Sequence, residues 1–251
     1  MRTRHKDFIA YEGPSQIDGS PIVAVVTGVT RPSANVKTGP MLQMWILQQD
    51  IAPVEAVKTG QDVGICGHCP LKGTLGKQRT CYVTVARSPQ AVWHKYRRGG
   101  YVPGTDSVVK AATYRAEVRL GAYGEPTAVP LALVERVIEH ARLWTGYTHR
   151  WPEVEPAWSS LLMASTETPE GSAAAKASGW RPFEVSPAGG GQPQGTFLCP
   201  AVREDNPLTC QRCGACAGTK YGSVNVGAPH PYIPAHGVGR NHLPVLQLSE
   251  F

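Results

Sequence analysis

Apolar residues in the first quarter of the chain form two short continuous runs rather than a helical stripe. "PIVAVVTGV" (21–29) is rich in β-branched residues and is bounded by turn formers, and "MLQMWILQQD" (41–50) is a second apolar run. Runs of this length and composition predict β-strands.

Two later segments show the three-to-four-residue period of amphipathic helices. In "SPQAVWHKYRRGGY" (88–101), Ser88 is a plausible N-cap, a proline occupies the first turn, and Gly99 and Gly100 stop the helix. "PLALVERVIEHARLW" (130–144) begins with Pro130 and has apolar residues at helical spacing. Both segments are predicted helices.

Strand and helix patterns alternate through the middle of the chain. The predicted strands are "TYRAEVRLGAYGEP" (113–126), "GYTHRW" (146–151), "AWSSLLMAST" (157–166) and "WRPFEVSP" (180–187), and "TPEGSAAAKASG" (168–179) is a predicted helix. Alternation at these lengths is typical of parallel α/β folds. We therefore predict one α/β domain over residues 1–251, arranged as a partial or closed (β/α) barrel of the TIM-barrel type. The tail from residue 217 shows a short strand at "SVNV" (223–226) and otherwise little regular structure.

The composition is that of a globular protein, with 41% hydrophobic and 18% charged residues. No apolar run approaches the roughly 20 residues that a membrane span needs. The N-terminal "MRTRHKDFIAYEG" is charged but lacks the apolar segment of a signal peptide. We expect a cytoplasmic protein with no membrane partner.

The positive charge of the chain lies in its first half. The formal net charge is +6. Residues 1–110 contain 14 Lys and Arg against 7 Asp and Glu, whereas residues 111–251 contain 11 against 12. The basic segments "KGTLGKQR" (72–79) and "HKYRRGG" (94–100) suit a nucleic-acid backbone, and nearby aromatic residues would stack on bases. These aromatic residues are Trp93, Tyr96 and Tyr101, although their spacing also suits burial in a core.

The seven cysteines are the strongest chemical signal. A reducing compartment and the odd count both argue against a disulfide framework. The spacing divides them into two groups. Cys66, Cys69 and Cys81 form C-x2-C-x11-C in a loop over residues 62–82, which we call the first group. Cys199, Cys210, Cys213 and Cys216 form C-x10-C-x2-C-x2-C in a loop over residues 197–218, which we call the second group.

Thiolates at two-residue gaps are ligands for zinc or for iron–sulfur clusters. Three cysteines at successive two-residue gaps, as in "CQRCGACAG" (210–218), favour a cluster over a zinc knuckle. Four thiolates complete a site, whereas three leave one position for water, substrate, cofactor or a ligand such as His68. One alternative stays open: Cys81 and Cys199 are buried hydrophobic residues, and Cys66, Cys69, Cys213 and Cys216 share a single zinc.

The stretch "VRLGAYGEPTAVPLALVERVIEHA" (118–141) resembles the second strand, loop and helix of radical S-adenosylmethionine enzymes. The family's glycine-glycine-glutamate loop touches the amino group of the cofactor, and the resemblance assigns that role to Gly124, Glu125 and Pro126. "YTHRW" and "LLMASTE" then correspond to the third and fourth strands of the partial barrel. The chain departs from the family in its first cysteine group, because the family carries C-x3-C-x2-C.

The whole chain is also similar to proteins of bacteriophages and actinobacteria that share "CGHCP", "CYV", "GAYGEP", "GYTHRW" and "CPA…TCQRCGAC". This resemblance covers most of the chain and implies a phage-encoded protein in a host cytoplasm, with no assigned chemistry.

Two functional hypotheses follow. In the first, the chain is an iron–sulfur protein similar to radical S-adenosylmethionine enzymes. The first group holds a [4Fe-4S] cluster with one open iron, and the second group holds a structural or electron-relay cluster. Glu125 then binds the cofactor. Further polar candidates at strand ends are Arg119, Tyr123, His149 and Arg150, with His230 and His236 in the tail. In the alternative hypothesis, the cysteines are structural zinc sites of a nucleic-acid-binding or interaction module.

Overall fold

A computed structural model describes residues 6–73, 79–203, 208–219 and 226–236. By its internal contacts the chain divides into two compact units. The first unit contains residues 1–67 and 83–144, and the second contains residues 68–82 and 145–251.

The first unit is built on a six-stranded mixed sheet. Its strands are β1 (Phe8–Pro14), β2 (Pro21–Thr27), β3 (Leu42–Gln48), β4 (Val102–Pro103), β5 (Glu117–Tyr123) and β6 (Leu143–Thr145), in the order β4-β1-β2-β3-β5-β6. β1, β2 and β3 pair antiparallel, whereas β3 and β5 pair parallel. β2 is buried along almost its whole length, which explains its continuous run of apolar residues.

Among the described residues of this unit, five α-helices accompany the sheet: α1 (Pro53–Thr59), α2 (Val63–Cys66), α3 (Ser88–Arg97), α4 (Asp106–Thr113) and α5 (Leu131–Ile138). Local signals explain where several begin. Proline stands at the first turn of α1 and α3, where its missing N–H costs nothing. The Thr105 hydroxyl accepts a hydrogen bond from the Val108 N–H and caps α4.

The second unit contains a five-stranded sheet in which every pair of neighbours is parallel. Its strands are β7 (Tyr147–Thr148), β8 (Met163–Thr166), β9 (Pro182–Ser186), β10 (Thr196–Leu198) and β11 (His230–Pro234), in the order β10-β11-β9-β8-β7. Helix α6 (Pro169–Ala177) connects β8 to β9, and the Thr168 hydroxyl caps it by accepting from the Gly171 N–H at 3.0 Å. Helix α7 (Cys210–Cys213) is a single turn.

Most predicted elements are confirmed, and the errors have identifiable causes. The segment 157–166 begins as a 3-10 helix (Pro156–Ser160), and only its last four residues form β8. β1 was missed because only one of its faces is apolar and it ends in Gly13 and Pro14. The prediction that the tail has little regular structure is wrong for β11, a strand with two prolines. Most of the predicted "SVNV" strand lies outside the described residues.

The structure confirms a mixed α/β fold with extensive parallel pairing. The described strands form two sheets. Two compact units can belong to one domain, so the single domain stays a prediction. Within the described ranges, no helix is long and apolar enough to cross a membrane.

A buried carboxylate lies in the sheet of the second unit. Glu184 of β9 is 2% exposed, accepts a hydrogen bond from the Ser172 hydroxyl at 2.7 Å, and lies 3.4 Å from His230 Nε2. Burial raises the pKa of Glu184, but hydrogen bonds from His230 and Ser172 lower it by more, so the net pKa is below its ordinary value.

This network makes stability depend on pH in the acid range. A lowered folded-state pKa contributes stability that is present above the unfolded pKa of about 4.3 and is lost as pH falls through the folded pKa. We expect the urea midpoint of the second unit to fall as the pH is lowered below about 4.3, the unfolded-state pKa. Glu184→Gln should reduce that fall, because it removes the titrating carboxyl group. Exposed Glu135→Gln is the control, and an unchanged pH profile for Glu184→Gln would contradict the assignment.

Candidate metal centre

All four cysteines of the second group line one cavity within the second unit. Cys199 follows β10 directly and precedes a 3-10 helix (Pro200–Val202). Cys210 and Cys213 are the first and last residues of α7. Cysteines that are separate in sequence therefore line the same cavity.

Backbone hydrogen bonds fix the segments that carry these cysteines. The Cys199 N–H donates to the Tyr232 carbonyl of β11 at 2.9 Å, and the Cys216 carbonyl accepts from the Gly146 N–H at 3.1 Å. Gly214 ends α7 in the left-handed conformation, with φ +67°, which turns the chain toward Cys216. The sheet therefore anchors two of the four cysteines.

The rest of the cavity wall is mainly apolar, formed by Phe197, Pro200, Ala201, Ala215 and Pro231. Tyr147 of β7 also lines it, and its hydroxyl hydrogen bonds the Cys216 sulfur. Cys199 is thus part of a shared wall of thiols, which disfavours its alternative interpretation as an isolated buried hydrophobic residue.

Burial and the neighbouring thiols oppose the ionisation of Cys216. Burial raises the pKa of Cys216 strongly, the Tyr147 hydroxyl lowers it, and the other three cysteines of the group raise it. Several thiolates around one apolar cavity would repel each other and lack solvation. A bound metal cation removes both costs, because a coordinating thiol is deprotonated outright. The chemistry of the donor set therefore suits a metal group with four thiolate ligands.

A buried guanidinium lies beside this site. Arg181, which precedes β9, is 7% exposed and donates to the Gly218 carbonyl at 2.7 Å. Burial lowers the pKa of Arg181, and the nearby Cys216 raises it. Sequence reasoning missed both Arg181 and Tyr147, because neither belongs to a cysteine motif.

The first group is distributed differently. Cys66 is the last residue of α2 and belongs to the first unit, whereas Cys69 and Cys81 belong to the second. Cys69 precedes a 3-10 helix (Pro70–Lys72), and the Cys81 N–H donates to the Leu71 carbonyl at 2.7 Å. This bond places Cys81 beside the turn that begins at Cys69.

A histidine and a glutamate meet Cys69 at the carboxyl edge of the parallel sheet. His149 follows β7 and Glu167 follows β8, and His149 Nε2 lies 2.8 Å from Glu167 Oε1. Burial lowers the pKa of His149, but Cys69 and Glu167, both hydrogen bonded to it, raise it well above its ordinary value. The sequence analysis did not identify Glu167 as a candidate site residue. Its position directly after a predicted parallel strand could have indicated it, because sites in such sheets lie at the carboxyl ends of the strands.

The Gly-Glu-Pro loop contacts the helix that carries Cys66. The Glu125 N–H donates to the Ile65 carbonyl at 2.6 Å, and both residues lie in the first unit. Gly124 has φ +83°, and an added Cβ would lie 2.6 Å from the Ile46 carbonyl oxygen. The buried Glu125 carboxylate accepts from the Thr127 N–H and caps a 3-10 helix (Pro126–Ala128). The loop thus has a structural role whatever else it binds.

No family model, curated protein or solved structure matched this chain. The two resemblances described above rest on the quoted residues alone.

Within the described ranges, no three His, Cys, Asp or Glu side chains form a group arranged to hold a metal ion.

The remaining candidates have ordinary structural partners. Arg150 binds Glu153 at 2.8 Å, and His68 lies 3.8 Å from the same carboxylate. Arg119 lies within β5, and Tyr123 is its buried last residue.

The two tail histidines also have local partners. His230 lies near Glu184 in the buried network, and the His236 ring stacks on Tyr82.

Several basic and aromatic side chains of α3 form hydrogen bonds or ion pairs with other residues of the first unit. Trp93 donates to the Gln48 carbonyl, Tyr96 donates to Glu12, and Arg97 pairs with Asp50. Lys95 pairs with Asp7. Nucleic-acid binding by this helix stays a prediction.

Proposed function

We propose that this protein binds an iron–sulfur cluster through Cys199, Cys210, Cys213 and Cys216. The observation that carries the proposal is that these four cysteines line one mainly apolar cavity in one compact unit. Several thiolates around an apolar cavity would need a cation to offset their repulsion, and the cysteine spacing favours a cluster over a zinc knuckle. When bound, the cluster would supply one-electron redox chemistry.

The all-cysteine donor set supports a cluster. All four thiols of the second group line one cavity wall. In a [4Fe-4S] cluster each of four cysteines binds a different iron, so these four thiols would complete one cluster.

The deciding measurement is iron, zinc and acid-labile sulfide content, with an absorption spectrum, on protein purified without oxygen. A cluster in the second group gives about four irons with matching sulfide and a brown colour, and clusters in both groups give about eight. Colourless protein with one or two zinc ions would contradict the proposal and support the alternative, a zinc-stabilised nucleic-acid-binding or interaction module.

We further propose that the first group, Cys66, Cys69 and Cys81, holds a [4Fe-4S] cluster with one open iron, and that S-adenosylmethionine binds there. The hydrogen bond between Glu125 and Ile65 supports this, because it joins the Gly-Glu-Pro loop to the residue before Cys66. The all-parallel second sheet, in which α6 connects β8 to β9, supports the (β/α) arrangement that the resemblance implies for that part of the chain. A reducing cytoplasm, in a host cell if the protein is phage-encoded, would keep the thiols available.

The cofactor assignment predicts a selective effect of Glu125→Gln. This change keeps an acceptor for the Thr127 N–H but removes the negative charge that would bind the cofactor's amino group. We expect S-adenosylmethionine affinity to fall about tenfold or more in anaerobic equilibrium dialysis, since a hydrogen bond to a charged group contributes about 1.5–3 kcal/mol.

The matched control is Glu135→Gln, because Glu135 is exposed on α5 of the same unit. The assignment fails if Glu125→Gln retains the wild-type dissociation constant and the wild-type iron content.

A further inference from the structure

Arg181 carries a buried positive charge that no acidic side chain of the described residues balances. The residue is 7% exposed, and its guanidinium donates to the uncharged Gly218 carbonyl, two residues after Cys216. Within the described part of the chain, no carboxylate forms an ion pair with it, and the nearby Cys216 raises its pKa against the effect of burial. Buried charges are normally paired, because leaving one unpaired costs several kcal/mol.

An anionic metal–thiolate group would supply the missing counter-charge. Four thiolates outweigh the positive charge of a [4Fe-4S] core, so the bound group is negative overall. Arginine is suited to this position, because its guanidinium stays protonated even when it is desolvated. The cavity wall is otherwise mainly apolar and offers little other stabilisation for a negative group.

A second observation acts on the same cysteine. The Tyr147 hydroxyl hydrogen bonds the Cys216 sulfur, and the Tyr147 ring packs edge-on against Phe183 with a centroid distance of 4.7 Å. The Gly146 N–H, one residue earlier, holds the Cys216 carbonyl. This packing orients the hydroxyl at a sulfur that would ligate iron.

We propose that Arg181 and Tyr147 make the four-cysteine site an electron-transfer centre rather than a purely structural one. This rests on the proposed iron–sulfur function. Reduction adds one electron, and therefore one negative charge, to the cluster. A neighbouring cation and a hydrogen bond to a ligand sulfur both stabilise the reduced form and raise the reduction potential. Arg181 and Tyr147 are positioning residues here, since they act through Cys216.

The test is an anaerobic potentiometric titration with dithionite as reductant, read by absorption and electron paramagnetic resonance. The full-length chain carries Cys81→Ala in every sample, so that the first group does not contribute a second signal. Tyr147→Phe removes one hydroxyl, Arg181→Gln removes the charge, and Arg181→Lys retains it. The controls, Tyr114→Phe and Arg31→Gln, are exposed residues of the first unit.

We expect Tyr147→Phe to lower the one-electron reduction equilibrium constant about tenfold, which is a shift of about 59 mV toward negative potential. Arg181→Gln should lower it by at least as much, and Arg181→Lys should stay close to the Cys81→Ala parent. If Arg181→Gln loses its cluster, the difference in potential between Tyr147→Phe and the Cys81→Ala parent decides whether the proposal holds.

Two results would overturn the proposal, and they are distinguishable. If Tyr147→Phe has the iron and sulfide content of the Cys81→Ala parent and an unchanged potential, the electron-transfer inference alone is refuted. Absence of iron and sulfide from the parent protein would refute the proposed function as well.

Discussion

Cys213→Ala should remove the metal of the second group and strongly destabilise the second unit. Cys213 ends α7 and lines the shared cavity, so its loss leaves three thiolates and one unligated iron. Metal binding to a site that does not exist in the unfolded chain contributes directly to folding free energy. We expect about 4 kcal/mol or more of lost stability, the range of metal-loss mutations, and a melting temperature lower by roughly 10 °C.

Metal analysis and thermal unfolding under anaerobic conditions would measure these effects. The matched control is Arg212→Ala, which truncates an exposed side chain in the same helical turn. Metal content in Cys213→Ala equal to that of the control would exclude Cys213 as a ligand. If metal is lost but stability is retained, the site would not contribute to folding.

Gly124→Ala should be one of the most destabilising single changes in the first unit. Gly124 has φ +83°, and an added Cβ would lie 2.6 Å from the Ile46 carbonyl oxygen and 2.8 Å from the Ile46 Cβ. The left-handed conformation costs a non-glycine residue about 1–2 kcal/mol. Overpacking against the β3 backbone adds roughly 1–3 kcal/mol. We therefore expect a loss of about 2–5 kcal/mol in denaturant unfolding, the sum of these two costs.

Gly60→Ala separates the two contributions. Gly60 has a similar φ of +73° at the end of α1, but an added Cβ would meet nothing within 4 Å. This control should show only the conformational cost of about 1–2 kcal/mol. Equal losses in the two variants would show that close approach to β3 does not constrain the Gly-Glu-Pro loop.

The electrostatic surroundings of Cys216 connect the stability of the second unit to its proposed chemistry. The same apolar cavity that raises the pKa of the Cys216 thiol would exclude water from a bound cluster. Arg181 and Tyr147 would offset the cost of placing negative charge there. Loss of metal is therefore expected to leave a buried guanidinium without its counter-ion.

Local patterns in the sequence were sufficient for most elements. β2, α3, α5, α6 and β9 were predicted because hydrophobic period and cap residues act over a few neighbouring positions. The cysteine spacing likewise indicated the second group, because three of its members lie within one short turn and the loop after it. Gly124 was selected as a candidate from its motif. Its close approach to Ile46 is a physical reason for a glycine at this position.

The amino-acid sequence by itself thus determined the α/β class and the main strands and helices, and it predicted the grouping of Cys199 with Cys210, Cys213 and Cys216. Only the tertiary structure decided the division into two sheets, the inclusion of Cys199 in the same cavity, and the neighbours of Cys216. Only the tertiary structure showed β11 as well. Its two prolines obscure the strand pattern in the sequence, and its pairing with β9 and β10 joins segments that are distant in the chain. The physical reason is the range of the interactions: propensities and caps act locally, whereas hydrogen bonds such as that of Tyr147 and the charge of Arg181 reach cysteines far away in the chain.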